Sequence, residues 1–187
     1  MTVGYRSQDN AYFQAASGSG SLADPFILES SASQGVASPV TVTRPANTTA
    51  YTANDVLGGA ITFTGMGPSP GGEVIITSVQ MEIDVTAIPS GMTSFRLYLY
   101  SVTPPSALAD NAAWDLPSGD RASYKGYVDL GSPADLGSTL YVETNGVNKQ
   151  ITVPSGGSLF GYLVTNGGFT PGGNSEVYVV TLHAAGL

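Results

Sequence analysis

The sequence predicts an all-β protein: a two-sheet antiparallel β-sandwich, jelly-roll-like, with an extended N-terminal arm and one short helical insertion. Three observations carry this. Apolar and polar residues alternate in many short runs. In EVIITSVQMEIDV, Val79, Met81, Ile83 and Val85 share one face, while Gln80, Glu82 and Asp84 share the other. The runs are separated by turn chemistry drawn from 24 Gly and 12 Pro. Charged residues make up only 11% of the chain against 42% hydrophobic ones, so a core is available beneath a polar but mostly uncharged surface. No helical period is sustained anywhere.

A chain of 187 residues suits one domain with an appendage. Residues 1–38 differ in kind from the rest. SGSGSLADPFILESSASQG surrounds one apolar knot, Phe26, Ile27 and Leu28, with small polar residues. This reads as an extended arm, ordered when it lies on something. Tyr5, Tyr12, Phe13 and the knot are its anchors, with Arg6 beside them. Residues 39–187 form the sandwich domain.

The strands follow in order from Pro39. PVTVTR alternates, with Val40 and Val42 on one face. AITFT is a short strand after a break at Gly58–Gly59, and GMGPSPGG is a turn cluster. EVIITSVQMEIDV is half-buried, as in an antiparallel sheet with one wet face. IPSGM then turns the chain into FRLYLYSV, where Phe95, Leu97 and Leu99 oppose Arg96, Tyr98 and Tyr100. Two such runs across a short Pro-Ser-Gly loop read as adjacent strands. YKGYVDL, STLYVET, KQITV, SLFGYLVT and EVYVVTLHA complete the set. The last is apolar on both faces, which marks a central strand.

The helical insertion is SALADNAAWDL, after Pro104–Pro105. Asp110 is placed to cap it, and Trp114 to plug the open end of the sandwich or a neighbouring subunit. Pro117–Asp120 then form a tight turn, with Arg121 available to Asp115 or Asp120.

Chemistry is sparse. Cysteine is absent, which removes disulfides and thiolate metal sites. The single histidine, His183, cannot build a multi-histidine metal site, and no GxSxG elbow accompanies it. Glu82 and Asp84 lie about 7 Å apart by strand geometry, tolerable for a glycosidase pair. The wet face of a strand gives the same pattern without catalysis. Asp110, Asp115 and Asp120 are possible calcium ligands, but DxDxDG spacing is absent. Tyr98 and Tyr100 suit a sugar-binding face or a packing face equally. Asn47–Thr49 matches a glycosylation sequon. The expectation is a non-enzyme without cofactor or metal.

Net charge is −8 with only six Lys and Arg. So few cations argue against nucleic acid or an anionic membrane as a partner. Met1 is followed by TVGYRSQDN, which lacks the marks of a signal peptide, and no run approaches a membrane span. Release by lysis as part of a particle fits these features.

Two stretches carry a family resemblance. TRPANTTAYTANDVLGG, residues 43–59, and PPSALADNAAWDLPSGDRASYKGY, residues 104–127, resemble patterns of small structural proteins of tailed bacteriophages. The resemblance covers the chain from about Pro39 onward and leaves out the arm. It implies a capsid decoration, or cement, protein with a β-sandwich, seated on the outer surface of the capsid as a trimer. Its partners would be the major capsid protein and copies of itself. Tyr5, Arg6, Tyr12, Phe13, Phe26, Ile27, Leu28 and Trp114 are the candidate partner-binding residues. The alternatives are another virion part, such as a tail or head-fibre subunit, or a glycan-binding module for host attachment.

Overall fold

The computed structural model describes residues 35–67 and 71–187 in full. Within residues 1–34 it describes only the backbone of four short strands: β1 (Tyr5–Arg6), β2 (Tyr12–Phe13), β3 (Ala15–Ser17) and β4 (Ile27–Leu28). The chain forms two units, Met1–Ser33 and Gln34–Leu187. In the first, β1 pairs with β2 and β3 with β4, both antiparallel. The side chains of Tyr5, Arg6, Tyr12, Phe13, Phe26, Ile27 and Leu28 lie outside the described residues.

The second unit contains β5 (Gly35–Thr43), β6 (Val56–Phe63), β7 (Gly72–Ile83), β8 (Phe95–Tyr100), β9 (Tyr124–Leu130), β10 (Ala134–Asp135), β11 (Leu140–Val153), β12 (Leu159–Thr165) and β13 (Val177–Gly186). One sheet has the order β10-β11-β7-β13-β5 and the other β6-β12-β8-β9. With the short β10 set aside, the first, eighth, third and sixth long strands share one sheet. The second, seventh, fourth and fifth share the other. This nesting of outer strands around inner ones is the jelly-roll arrangement. Every pairing is antiparallel.

The core lies between the sheets. Val79, Met81 and Ile83 of β7 face it from one side, and Phe95, Leu97 and Leu99 of β8 from the other, all fully buried. Burying each such side chain stabilises the fold by roughly 1.5–3 kcal/mol. Phe95 meets Phe169 and Tyr178 edge-on at 6.2 and 6.3 Å between centroids. β13 is hydrogen-bonded to β5 on one side and β7 on the other, the central position its two apolar faces predict.

Four expectations need correction. β7 and β8 are not neighbours; they sit in opposite sheets, and 84–94 crosses the end of the sandwich between them. Alternation names a strand's buried face but not its partner. STLYVET and KQITV are one strand, β11, which keeps β7 as its partner throughout. Gly146 (φ 68°) and Asn148 (φ 49°) form a bulge between Asn145 and Lys149 that kinks the strand without ending it. β6 likewise runs through Gly58–Gly59, both at positive φ, where the register against β12 shifts.

Lastly, there is no helix among the described residues. In SALADNAAWDL, Asn111 takes φ 62°, and the backbone bonds outward to the sheet. Leu108 N donates to Tyr162 Oη (3.1 Å), and Asn111 N to Val56 O (2.8 Å). Those bonds replace the i→i−4 ladder that a helix needs.

Candidate functional site

Residues 104–123 leave the β8–β9 end and run as a strap over the outer face of the four-stranded sheet. Tyr162 Oη donates to Ser106 O at 3.1 Å and accepts from Leu108 N, pinning the outgoing limb to mid-β12. The tip at 110–114 reaches the start of β6. There Val56 N donates to Ala112 O, and Trp114 N to Asn54 O, both at 2.8 Å. The returning limb is fixed by Asp120, whose carboxylate accepts from Ser106 N and Oγ at 3.4 and 3.3 Å.

Beneath the strap lies a second apolar cluster of Val56, Tyr98, Tyr100, Tyr162 and Val164, with Trp114, Leu116 and Tyr124 packed on it. Trp114 stacks on Tyr98, centroids 3.8 Å apart and planes 22° from parallel. It therefore covers a sheet face rather than plugging the end of the sandwich. Burial raises the phenols of Tyr100 and Tyr124 to about 12. Tyr98 and Tyr100 are 5% and 1% exposed, so they offer no open platform to a sugar. Tyr127 remains outside, with the Arg96 guanidinium 4.9 Å from its ring centroid and bonded to Asp129 at 2.7 Å.

The strap tip also enters a buried polar network. Asp110 Oδ1 accepts from Tyr51 Oη (2.6 Å) and from Gly58 N (2.8 Å). Tyr51 Oη in turn accepts from Arg44 Nε at 2.7 Å. Arg44 is 2% exposed, and its Nη1 lies 3.5 Å from Glu176 Oε2. Glu176 also accepts from Gly173 N at 2.9 Å and Tyr178 Oη at 3.3 Å. A guanidinium removed from water needs such partners, because an unpaired buried charge is costly. Burial pushes the Tyr51 phenol far above its ordinary value, and its bond to Asp110 adds to this. Tyr178 is raised by burial first and by Glu176 second.

The network joins four segments distant in sequence: the end of β5, the β5–β6 loop, the strap, and the β12–β13 loop. In particular it joins residues 43–59 to 104–127. Asn111 Nδ2→Ala50 O (3.3 Å) and the Asp55–Ala113 bridge add to the same seam. The two stretches that carry the family resemblance are thus one structural unit.

The remaining candidates fall apart from one another. Asp110 and Asp120 are occupied as described, and Asp115 is exposed. Among the described residues no group of acids and histidine is arranged to hold a metal. Arg121 is exposed and pairs with neither Asp115 nor Asp120. Asp110 caps no helix; its carboxylate serves Tyr51 and Gly58. His183 faces outward from β13 opposite Ser78, with Nε2 buried and unbonded. Glu82 and Asp84 are exposed, and Asn47 Oδ1 accepts from Thr49 N in a local turn. An open groove of about 490 Å³ lies between 84–89 and 172–176. Its Glu176 is already held by Arg44 and Gly173.

Sequence reasoning missed Arg44, Tyr51 and Glu176. The available signal was a lone arginine directly after an alternating strand, where a surface cation is cheap and a buried one must be matched elsewhere.

No family model matches the chain, and no curated protein matches it. Solved structures do resemble it. The capsid of Ralstonia phage GP4 is 10% identical, with 85% of this chain and 88% of that chain covered and a TM-score of 0.36. The cyanophage Pam1 capsid asymmetric unit is 17% identical over 83% and 88%, also at 0.36. Desmodium yellow mottle tymovirus is 11% identical over 84% and 89%, at 0.29. No residue role is carried over from them.

Proposed function

We propose that this chain is a structural virion protein of the decoration, or cement, type. It binds the outside of a phage capsid and stabilises the lattice of the major capsid protein. The observation that carries this reading is the seam between residues 43–59 and 104–127. Two separate stretches resemble phage structural proteins, and here they fold against each other through Tyr51–Asp110 and Val56–Ala112. The resemblance thus attaches to a three-dimensional unit rather than to two unrelated runs. A jelly roll by itself would not select a function.

The mechanism is mass action with avidity. A trimer touching several capsid subunits gains effective concentration from its first contact. Binding the mature lattice in preference to its precursor stabilises the mature one. The arm, with Tyr5, Arg6, Tyr12, Phe13 and Phe26–Leu28, reaches to a capsid subunit or a neighbouring copy. Trp114 acts indirectly, by holding the strap.

The test is sedimentation with undecorated shells. Purified protein is titrated against shells, pelleted, and quantified per capsid subunit. Saturation at a fixed ratio supports decoration, and the ratio indicates the symmetry position. Absence of binding would refute the reading and direct attention to tail structures or glycans.

A further inference from the structure

Along one side of the sandwich β9 and β11 run close together, and both are edge strands there. β9 ends the four-stranded sheet, and β10 covers β11 only at Leu140 and Tyr141. An edge strand presents N–H and C=O groups that a strand from another chain can take up. The edges of β6 and β5 are blunted. The strap bonds to the backbone of Val56 and Gly58 on β6. On β5, Arg44 N donates to Glu176 O, so by alternation Pro39 turns its backbone away from β13, to the free side, where it offers no N–H.

On β9 the cover comes from β11. The inward row of β11 is Leu140, Val142 and Thr144 before its bulge, and Lys149, Ile151 and Val153 after it. Leu140, Val142, Ile151 and Val153 are buried in the core. Thr144 and Lys149 are the polar members of the row, both half-buried, and they flank the bulge. Both donate to the backbone of β9. Thr144 Oγ1 bonds Asp129 O at 3.1 Å, and Lys149 Nζ bonds Lys125 O at 3.3 Å. Those carbonyls share the free side of β9, with Tyr127 between them in the alternation.

The local backbone serves these two contacts. Even-numbered residues of β11 face inward before the bulge and odd-numbered ones after it, which turns Lys149 to the inner side. Gly126, at φ 89°, leaves room for the ammonium, since a Cβ there would stand 2.8 Å from Lys149 Nζ.

We infer that Thr144 and Lys149 guard the free edge of β9: by occupying the carbonyls of Asp129 and Lys125 they keep β9 from pairing with the β9 of a second copy of this chain. The sequence of the edge names that copy as the strand to be excluded. Two β9 edges paired antiparallel about Tyr127 set Lys125 of each copy against Asp129 of the other and bring the two tyrosine rings together. Opposite charges and aromatic pairs are favourable cross-strand neighbours. A contact that repeats itself by two-fold symmetry in this way is self-complementary. The guard stands apart from the decoration reading, and neither depends on the other.

The test is T144V/K149M in the full-length protein. Valine keeps the shape of threonine and methionine much of the lysine stem, while both donors are lost. R121Q, at the exposed Arg121, controls for the lost positive charge. The melting temperature reports whether the fold is intact. Sedimentation velocity over a range of protein concentrations reads association, and hydrogen–deuterium exchange reads where it occurs. The double variant is expected to form species larger than those of wild type, increasingly so as concentration rises. Its amides at 125–129 should then exchange roughly tenfold more slowly than in dilute solution. R121Q should sediment as wild type.

A folded double variant that sediments as wild type at every concentration overturns the guard. Extra association with no protection at 125–129 overturns it too, by placing the contact elsewhere. The same association in R121Q overturns it by showing that net charge alone matters. Should the double variant fail to fold, T144V and K149M carry the same test singly, each opening one carbonyl; wild-type sedimentation of both overturns the guard.

Discussion

The seam between residues 43–59 and 104–127 can be taken apart with two substitutions. Tyr51→Phe removes a hydroxyl that donates to Asp110 Oδ1 at 2.6 Å and accepts from Arg44 Nε at 2.7 Å. Arg44 is buried, and its Nη2 already lacks a partner, so the variant leaves a second guanidinium N–H unmatched. A hydrogen bond to a charged group contributes about 1.5–3 kcal/mol, and an unmatched buried donor costs a similar amount. The expected loss is roughly 3 kcal/mol. Asp110→Ala removes the Tyr51 bond and the Gly58 N–H bond together, at a similar cost. Both variants lack the shared Tyr51–Asp110 bond, so the double variant should fall short of the sum by about 1.5 kcal/mol. Urea unfolding of the full-length protein reads these values. In thermal melts, each single variant should lie roughly 6–12 °C below wild type. Additivity within about 0.3 kcal/mol would show that the two side chains act independently. The seam would then not be the structural unit described.

Further outcomes follow from the same geometry. Trp114→Ala uncovers Tyr98 and frees the strap tip, at a cost of roughly 2–3 kcal/mol for a half-buried indole; an unchanged urea midpoint would contradict the stacked geometry. Gly58→Ala drives a Cβ into Val42 Cγ1 at a φ of +80°, and should cost roughly 2–4 kcal/mol in the same assay. The raised phenols predict alkaline weakness. The unfolded chain loses these protons near pH 10, while Tyr51, Tyr178, Tyr100 and Tyr124 hold theirs when folded. Stability is therefore full below pH 10 and falls above it, at about 1.4 kcal/mol per pH unit for each such tyrosine. Phenolate absorbance from Tyr51 and Tyr178 should appear only with unfolding; their ionisation in the intact fold would contradict their burial.

Much of the fold was legible because period-two patterning reports burial directly. EVIITSVQMEIDV and FRLYLYSV show their inward rows at once, and EVYVVTLHA shows its central place. Partner choice was not legible. The same rows fit β7 and β8 as a hairpin or as opposing layers, and only the long-range packing of Met81 and Leu97 across one core decides. Glycine-containing turn signals misled in one direction: at Gly58–Gly59 and in NGVN, residues 145–148, they form bulges in continuous strands, because a single chain's sequence shows the bend but not the ladder that persists beside it. The strap read as a short helix because SALADNAAWDL follows Pro104–Pro105, a pair that favours a bend and then a helix start. Tertiary bonds from Tyr162 and Val56 overrode that propensity. Asp110 was singled out correctly as an acceptor of backbone N–H, but the donor is Gly58, distant in sequence. For the Arg44–Glu176 pair the one local signal was Arg44 directly after an alternating strand, and nothing in the sequence pointed to Glu176 as its partner.

Paired cryo-electron microscopy reconstructions of shells with and without the bound protein test the central claim most directly. The account predicts added density on the outer surface at one class of symmetry position. Added density at the tail or portal, or none on the shell, would contradict it.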